Sequence, residues 1–411
     1  MKYKSILKIT GIIIGFVAIV IFMGYLIYVI FFRGDVGPGP GQVNINGVIV
    51  NSGELPIANQ NVNRPVENVN INTNAGLPVL SPIANGGNTL TNNVADGDIK
   101  AAKVIGTNLR FYDKETGKFY QISSDGKIKN LLTEDLFPDA ESVEWSPTGN
   151  KAVITFPDGT NIVYDFDAKS QITLPKELNE IKFSATGEQL GFEYIDENSN
   201  NNFLGVSNVD GTAMRQIELL GDKSSDVEVN WSPTSQMVAT FRKTSTGDAQ
   251  DVFFVGQNGE NFKSLEVQGR GFEGKWNETG TQMIYSTYSA TTDYNPELKI
   301  AEVGGDNTGA NTINTGLKTW PSKCAIGGGA LYCGVPIGLE KGSGLYPELA
   351  DSINDNIYRV DLTTGAKTKL ATPSNVDGGG YVIDQIYLSP DDRILYFTNK
   401  ITGELNSIRL K

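Results

Sequence analysis

Trp145-Ser-Pro-Thr-Gly-Asn-Lys-Ala-Val-Ile-Thr-Phe156 sets a large apolar residue before a Ser-Pro turn and a run of strand-forming side chains, and this order of residue types recurs along the chain. It returns as Phe183-Ser-Ala-Thr-Gly-Glu-Gln-Leu-Gly-Phe-Glu-Tyr194, Trp231-Ser-Pro-Thr-Ser-Gln-Met-Val-Ala-Thr-Phe241, Trp276-Asn-Glu-Thr-Gly-Thr-Gln-Met-Ile-Tyr285 and Leu388-Ser-Pro-Asp-Asp-Arg-Ile-Leu-Tyr-Phe397. Cys324-Ala-Ile-Gly-Gly-Gly-Ala-Leu-Tyr-Cys333 is a degenerate copy. The six anchors lie 38, 48, 45, 48 and 64 residues apart. Each copy reads as strand, turn, strand, because Ser, Pro and Gly punctuate a chain that β-branched and aromatic residues extend on either side. Third and fourth strands follow, for instance 161–166 with 171–174 and 356–361 with 367–370.

Four short antiparallel strands per 40–50 residues is the signature of a propeller blade. A leading unit over 99–132 adds one more blade to the six anchors. The expectation is therefore an all-β, seven-bladed β-propeller over residues 99–411, with six or eight blades as the alternatives. The last blade runs out after its third strand, so a strand from upstream of residue 99 is expected to complete it.

The Trp/Phe-Ser-Pro-x-Gly pattern resembles the WD-repeat-like propeller motif of TolB-type bacterial proteins, over residues 99–411. It lacks the Gly-His dipeptide of true WD repeats, the chain having no histidine. The resemblance implies the propeller fold.

Outward from the repeats, Ile9 to Phe32 is 24 residues without a charge. At about 1.5 Å per residue this run spans a hydrocarbon core of about 30 Å. It is read as a transmembrane signal anchor over 9–32. Lys2, Lys4 and Lys8 precede it, which places residues 1–8 in the cytoplasm and the remainder outside, a single-pass cell-membrane protein with an extracytoplasmic propeller. Residues 34–98 hold 14 Asn, 10 Gly and 6 Pro and no aromatic residue. That composition reads as a flexible linker over 33–98, with too little apolar surface to offset its ordering entropy.

The absence of histidine excludes Ser-His-Asp and Cys-His nucleophiles and His-ligated zinc. Beyond Arg33 the chain carries 30 basic and 47 acidic side chains, net −17. Nucleic acid is therefore not an expected partner, since it needs a basic footprint.

Cys324 and Cys333 face each other across a glycine turn on the first two strands of one blade. An extracytoplasmic setting favours a disulfide over a free buried pair or a metal site. Long second-to-third-strand loops, 287–297 and 336–355, share a Tyr/Pro/Glu/Leu element. Tyr288, Tyr294, Pro296, Glu297, Tyr346, Pro347 and Glu348 are thus candidate partner-binding residues, weighed against a role in pinning each loop to its own blade. Asp196, Asn198 and Asn200 supply oxygens at alternate positions, like half of a calcium loop, without the glycine and terminal glutamate of the full one. Apart from that weak Ca2+ site, no cofactor is expected.

The functional expectation is a non-catalytic binding scaffold of the bacterial cell envelope, with a protein, peptide or glycan partner. The alternatives are a His-free carboxylate enzyme acting on envelope polysaccharide, which clustered acids and aromatics in the central channel would favour, and a purely structural or sensor domain.

Overall fold

The structure, a computed structural model, describes residues 42–45, 48–51, 79–123 and 129–411. The 1–8 and 9–32 segments lie outside the described residues. Among those described, no helix is long and apolar enough to cross a membrane. Within the stretch read as linker, Gln42–Ile45 pairs antiparallel with Val48–Asn51 as a two-stranded hairpin.

Seven sheets of four or five strands form the larger unit. Their first strands are Ile99–Ile105, Ser142–Trp145, Leu178–Phe183, Val227–Val229, Arg270–Trp276, Cys324–Gly327 and Ile383–Leu388, which number blades 1 to 7. From each first strand the consecutive strands follow one another outward in chain order and pair antiparallel, and blades 6 and 7 each add one strand from upstream of residue 99. First strands touch in turn from blade 1 to blade 4 and from blade 6 through blade 7 to blade 1, and that of blade 5 touches the Pro321–Lys323 turn leading into blade 6, so the first strands ring a central channel.

The hydrophobic core is divided among the seven seams between blades. One buried cluster joins Phe254 and Val267 of blade 4 to Phe272 and Tyr285 of blade 5. Another joins Tyr396 and Leu405 of blade 7 to Ile99 and Phe111 of blade 1, closing the ring. A strand buried on both faces reads as a continuous apolar run, which is why Ala152-Val-Ile154 and Met283-Ile-Tyr285 show no polar alternation.

The repeat motif acts at these seams. The indole N–H of Trp145 donates to the Ala101 carbonyl of blade 1, Trp231 to Lys182 of blade 3 and Trp276 to Asn230 beside blade 4, at 2.5, 3.2 and 3.1 Å. Each Trp therefore ties its blade to the one before, a contribution of about 1 kcal/mol per bond on top of the ring's burial. The following serine folds the turn: Ser146, Ser184, Ser232 and Ser389 accept through Oγ from the amide five residues on, at 2.9–3.2 Å. The fifth motif position is left-handed in every regular copy, with φ of 71° at Gly149, 75° at Gly187, 57° at Ser235, 72° at Gly280 and 53° at Asp392. Glycine takes that conformation without a Cβ clash.

The expected closing strand is present: Asn92–Ala95 pairs antiparallel with Leu405–Arg409 as the fourth strand of blade 7. The folded unit nevertheless begins earlier than residue 99. Asn88–Leu90 pairs parallel with Lys367–Ser374, becoming a fifth strand of blade 6, and the Ala84 amide donates to the Arg409 carbonyl at 2.8 Å. The linker reading failed here because it counted apolar side chains. These residues are held by main-chain bonds to two open sheet edges, and of the eight from Asn88 to Ala95 only Thr89 and Ala95 are buried.

Candidate functional site

A cavity of about 890 Å3 occupies one mouth of the channel. It is walled by the starts of the first strands of blades 3, 4, 5 and 7, by Trp320, Ser322 and Lys323 just before that of blade 6, and by second-strand residues of blades 3 and 4. A second cavity of about 850 Å3 continues toward the other mouth, and Ser322 and Gln385 line both.

The long loops lie at the first mouth. Gly344, Pro347, Ala350 and Asp351 of the blade 6 loop stand in the cavity wall. This loop is bonded to that of blade 5: the Gly342 amide donates to the Asp293 carbonyl at 2.9 Å and Gly344 to the Tyr294 carbonyl at 2.8 Å. The Ser343 amide reaches Asn295 Oδ1 at 3.3 Å. Sequence reasoning marked both loops and missed that they are one body, since their contacts run through backbone groups and glycines.

The candidate residues divide accordingly. Tyr294 and Tyr346 are 40% and 55% exposed, and Leu345, Leu349 and Ile337 are exposed beside them. Pro347 and Glu348 are exposed in the short 3-10 turn Pro347–Ala350. Pro296 is buried. Tyr288 ends a strand instead of lying in the loop, and Glu297 begins the next strand, where it pairs with Lys299 at 3.1 Å.

Cys324 and Cys333 are bridged, with Cα atoms 4.1 Å apart at directly paired positions of the blade 6 hairpin. Its turn residues Gly328 and Gly329 both have positive φ, as a two-residue turn between twisted strands needs. Asp196, Asn198 and Asn200 lie in the loop between the second and third strands of blade 3. The Asp196 carboxylate accepts from the Asn198 amide at 2.8 Å, and Asn198 Oδ1 from the Asn200 amide at 3.2 Å, so these oxygens shape a 3-10 turn. Among the described residues no three His, Cys, Asp or Glu side chains gather as a metal-holding group.

Charged side chains in the channel mostly tie one blade to the next. Glu180 of blade 3 accepts from the Val229 amide of blade 4 at 3.2 Å, and Glu273 of blade 5 from the Ser322 amide beside blade 6 at 2.6 Å. Arg242 donates to the Phe272 carbonyl at 3.2 Å and the half-buried Lys275 to the Cys324 carbonyl at 2.7 Å. Lys182 pairs with Glu144 at 2.8 Å. Lys323 and Asp355, both buried, pair at 2.8 Å, and Asp355 also accepts from the Ile383 amide of blade 7 at 2.7 Å.

Two acids of the first cavity stand outside this scheme. Glu193, on the second strand of blade 3, is 5% exposed and its Oε1 has no hydrogen-bond partner. Burial pushes its carboxyl up to about 8, and Glu180 adds to the shift. Burial also pushes Glu228 up to about 7, against the pull of Arg242 and with the repulsion of Glu180 and Glu273. Sequence reasoning left the 47 acids undifferentiated. A signal was present: Glu193 stands ten residues after its anchor, where blades 2 and 5 carry Thr155 and Ser286.

No protein-family model and no curated protein matches the sequence. Solved structures do match. The β-propeller domain of Cps50 (Swd1) from Myceliophteria thermophila is similar at a TM-score of 0.53 and 10% identity, over 78% of this chain and all of that one. An oligogalacturonate lyase in complex with manganese is similar at a TM-score of 0.53 and 13% identity, over 78% of this chain and 93% of that one. At such identities the likeness is one of fold.

Proposed function

We propose that this chain is a membrane-anchored, non-catalytic binding scaffold of the bacterial cell envelope, and that it presents the joined loops of blades 5 and 6 to a polypeptide partner. The observation that carries the reading is the group of exposed apolar side chains Tyr294, Leu345, Tyr346 and Leu349 on two loops fastened to each other by backbone bonds. Isolated exposed apolar residues need no explanation, but a cluster on a rigid loop platform marks an interaction surface. Tyrosines contribute large contact area at low entropic cost. The anchor rests on the charge-free run 9–32, and the extracytoplasmic setting agrees with the Cys324–Cys333 bridge.

The test is cross-linking and pull-down from membranes with the full chain and with a Tyr294→Ala, Tyr346→Ala variant of unchanged melting temperature. Loss of the captured polypeptide in the variant supports the reading; retention of every partner, or capture of glycan alone, removes it.

A second reading is carried by Glu193 and Glu228. A protonated carboxylic acid near an ionised one is the machinery of glycoside cleavage, and Trp320 stands in the same wall. Release of reducing ends from envelope polysaccharide, abolished by both Glu193→Gln and Glu228→Gln, would establish it in place of the scaffold. The scaffold reading is preferred because Glu180 and Glu273, which supply the rest of the acid cluster, already accept main-chain bonds across the seams.

A further inference from the structure

We propose that the pocket around Glu193 at the loop-bearing mouth receives a single organic cation, the ammonium or guanidinium of a basic side chain carried by the partner. The inference rests on the scaffold reading for its partner and on the pocket itself for its chemistry.

Glu193 lines the cavity, and its Oε1 is a buried oxygen with no hydrogen-bond partner. An acceptor left so inside a protein costs more than one that has exchanged water for a donor. Burial keeps the Glu193 carboxyl protonated, and the charge of Glu180, on the first strand of the same blade, adds to that effect. A cation offsets the charge in the proton's place.

The surrounding charges favour that exchange. From blade 4, Glu228 and Arg242 face the pocket, from blade 5 Glu273 and from blade 7 Asp384. Lys323 is held by Asp355, and Lys400 by Asp351 at 2.6 Å. Lys182, deeper in the channel, is held by Glu144. Arg242, joined by Lys182 near Glu180 and Glu228 and by Lys275 near Glu273, is thus set against five carboxyls among the described residues of this wall, and it is engaged by the Ser225 and Phe272 carbonyls. The net charge of −17 beyond Arg33 draws cations toward the same mouth.

A bare divalent metal is the poorer occupant, because no three acidic side chains converge as a metal-holding group among the described residues. A side-chain cation needs only one or two carboxylates, and the stem of a lysine or arginine suits a walled channel with Trp320 and Phe272 in its lining.

The test is calorimetric titration of the full chain in detergent micelles with Nα-acetyl-lysine methylamide and Nα-acetyl-arginine methylamide. The norleucine analogue, equal in shape to lysine and uncharged, serves as control. Binding of a cation expels the Glu193 proton, so affinity rises with pH by roughly tenfold between pH 6 and 8, with proton release seen as a dependence on buffer ionisation enthalpy. Glu193→Gln abolishes the pH dependence and lowers affinity at pH 8 at least about tenfold, the scale of one lost charge-assisted bond. Equal binding of norleucine, affinity that falls as pH rises, or an undiminished Glu193→Gln variant each overturns the proposal. The sign of the pH dependence is read on the unmutated chain, so a poorly folding variant leaves the test standing. Cation binding that persists while the tyrosine variant keeps its partners would sink the loop face and spare the pocket; the converse pattern would sink the pocket alone.

Discussion

Gly344 donates its amide to the carbonyl of Tyr294 across 2.8 Å, and a Cβ on Gly344 would stand 2.7 Å from that same oxygen and from Tyr288 Cβ. The contact that joins the two long loops is therefore possible only without a side chain at 344. Pro296 N, 3.0 Å from the same point, closes the third side. Tyr294 is itself held with φ of 55°, unusual for an aromatic residue, by its amide bond to the Ser289 carbonyl at 2.8 Å.

Gly344→Ala is expected to part the loops while leaving the blades folded. Overpacking of this kind costs about 1–3 kcal/mol, which for a domain of this size is a fall of a few degrees in melting temperature. Limited proteolysis should then cut within 337–354 faster than in the unmutated chain. An unchanged cleavage pattern would mean that the loops do not depend on one another.

The N-terminal clasp gives a second expectation. Starting the chain at Ile99 removes Asn88–Leu90 and Asn92–Ala95, which exposes the edges of Lys367–Ser374 and Leu405–Arg409. Open edges invite pairing between molecules. The shortened chain should melt at least about 5 °C lower than one starting at Ala75, and it should aggregate on heating. Equal melting of the two would show that residues 75–98 add nothing to the ring.

Ser235 occupies the left-handed motif position that is glycine at Gly149, Gly187 and Gly280. An L-residue there carries roughly 1–2 kcal/mol of strain, and the hydroxyl of Ser235 is a buried oxygen without a partner. Ser235→Gly should stabilise the domain by about 0.5–1 kcal/mol, after the greater freedom of glycine in the unfolded chain is subtracted. Denaturant titration measures it, and a lower midpoint for the glycine variant would contradict the turn assignment.

These positions also show what the sequence could disclose. The blade repeat was legible because one turn geometry calls for a short polar side chain after the anchor, Ser in four regular copies and Asn277 in the fifth, and for a left-handed residue three positions later. The missing fourth strand of blade 7 was legible because the count of strands came up short. Asn88–Leu90 was not, since edge addition through the backbone leaves no trace in side-chain hydropathy. The loops were visible as Tyr-rich insertions, but their union depends on Gly344, whose role is defined by what surrounds it. Glu193 is one of 47 acids until the ring closes and decides which strand ends share an enclosed space.

The same two acids set the pH dependence of stability. Glu193 and Glu228 titrate near 8 and 7 in the folded chain, both raised chiefly by burial, against about 4.5 when exposed. Between those values the native state holds protons that the unfolded chain has lost, so stability falls as pH rises from about 5 toward 8. Asp355, also raised by burial, acts in the same sense. Asp165 and Glu297 are lowered, so what they contribute is present at neutral pH and lost in acid. The melting temperature should therefore peak near pH 5–6. Lys275, lowered by burial, works against the alkaline decline wherever it titrates, so the measurement that isolates the acids compares the chain with its Glu193→Gln variant. Glutamine keeps the shape and removes the ionisation. The variant should match the parent at pH 5 and melt about 2–5 °C higher at pH 8.5. Parallel curves across that range would mean that Glu193 does not carry its proton into the neutral region, and the pocket chemistry argued from it would lose its footing.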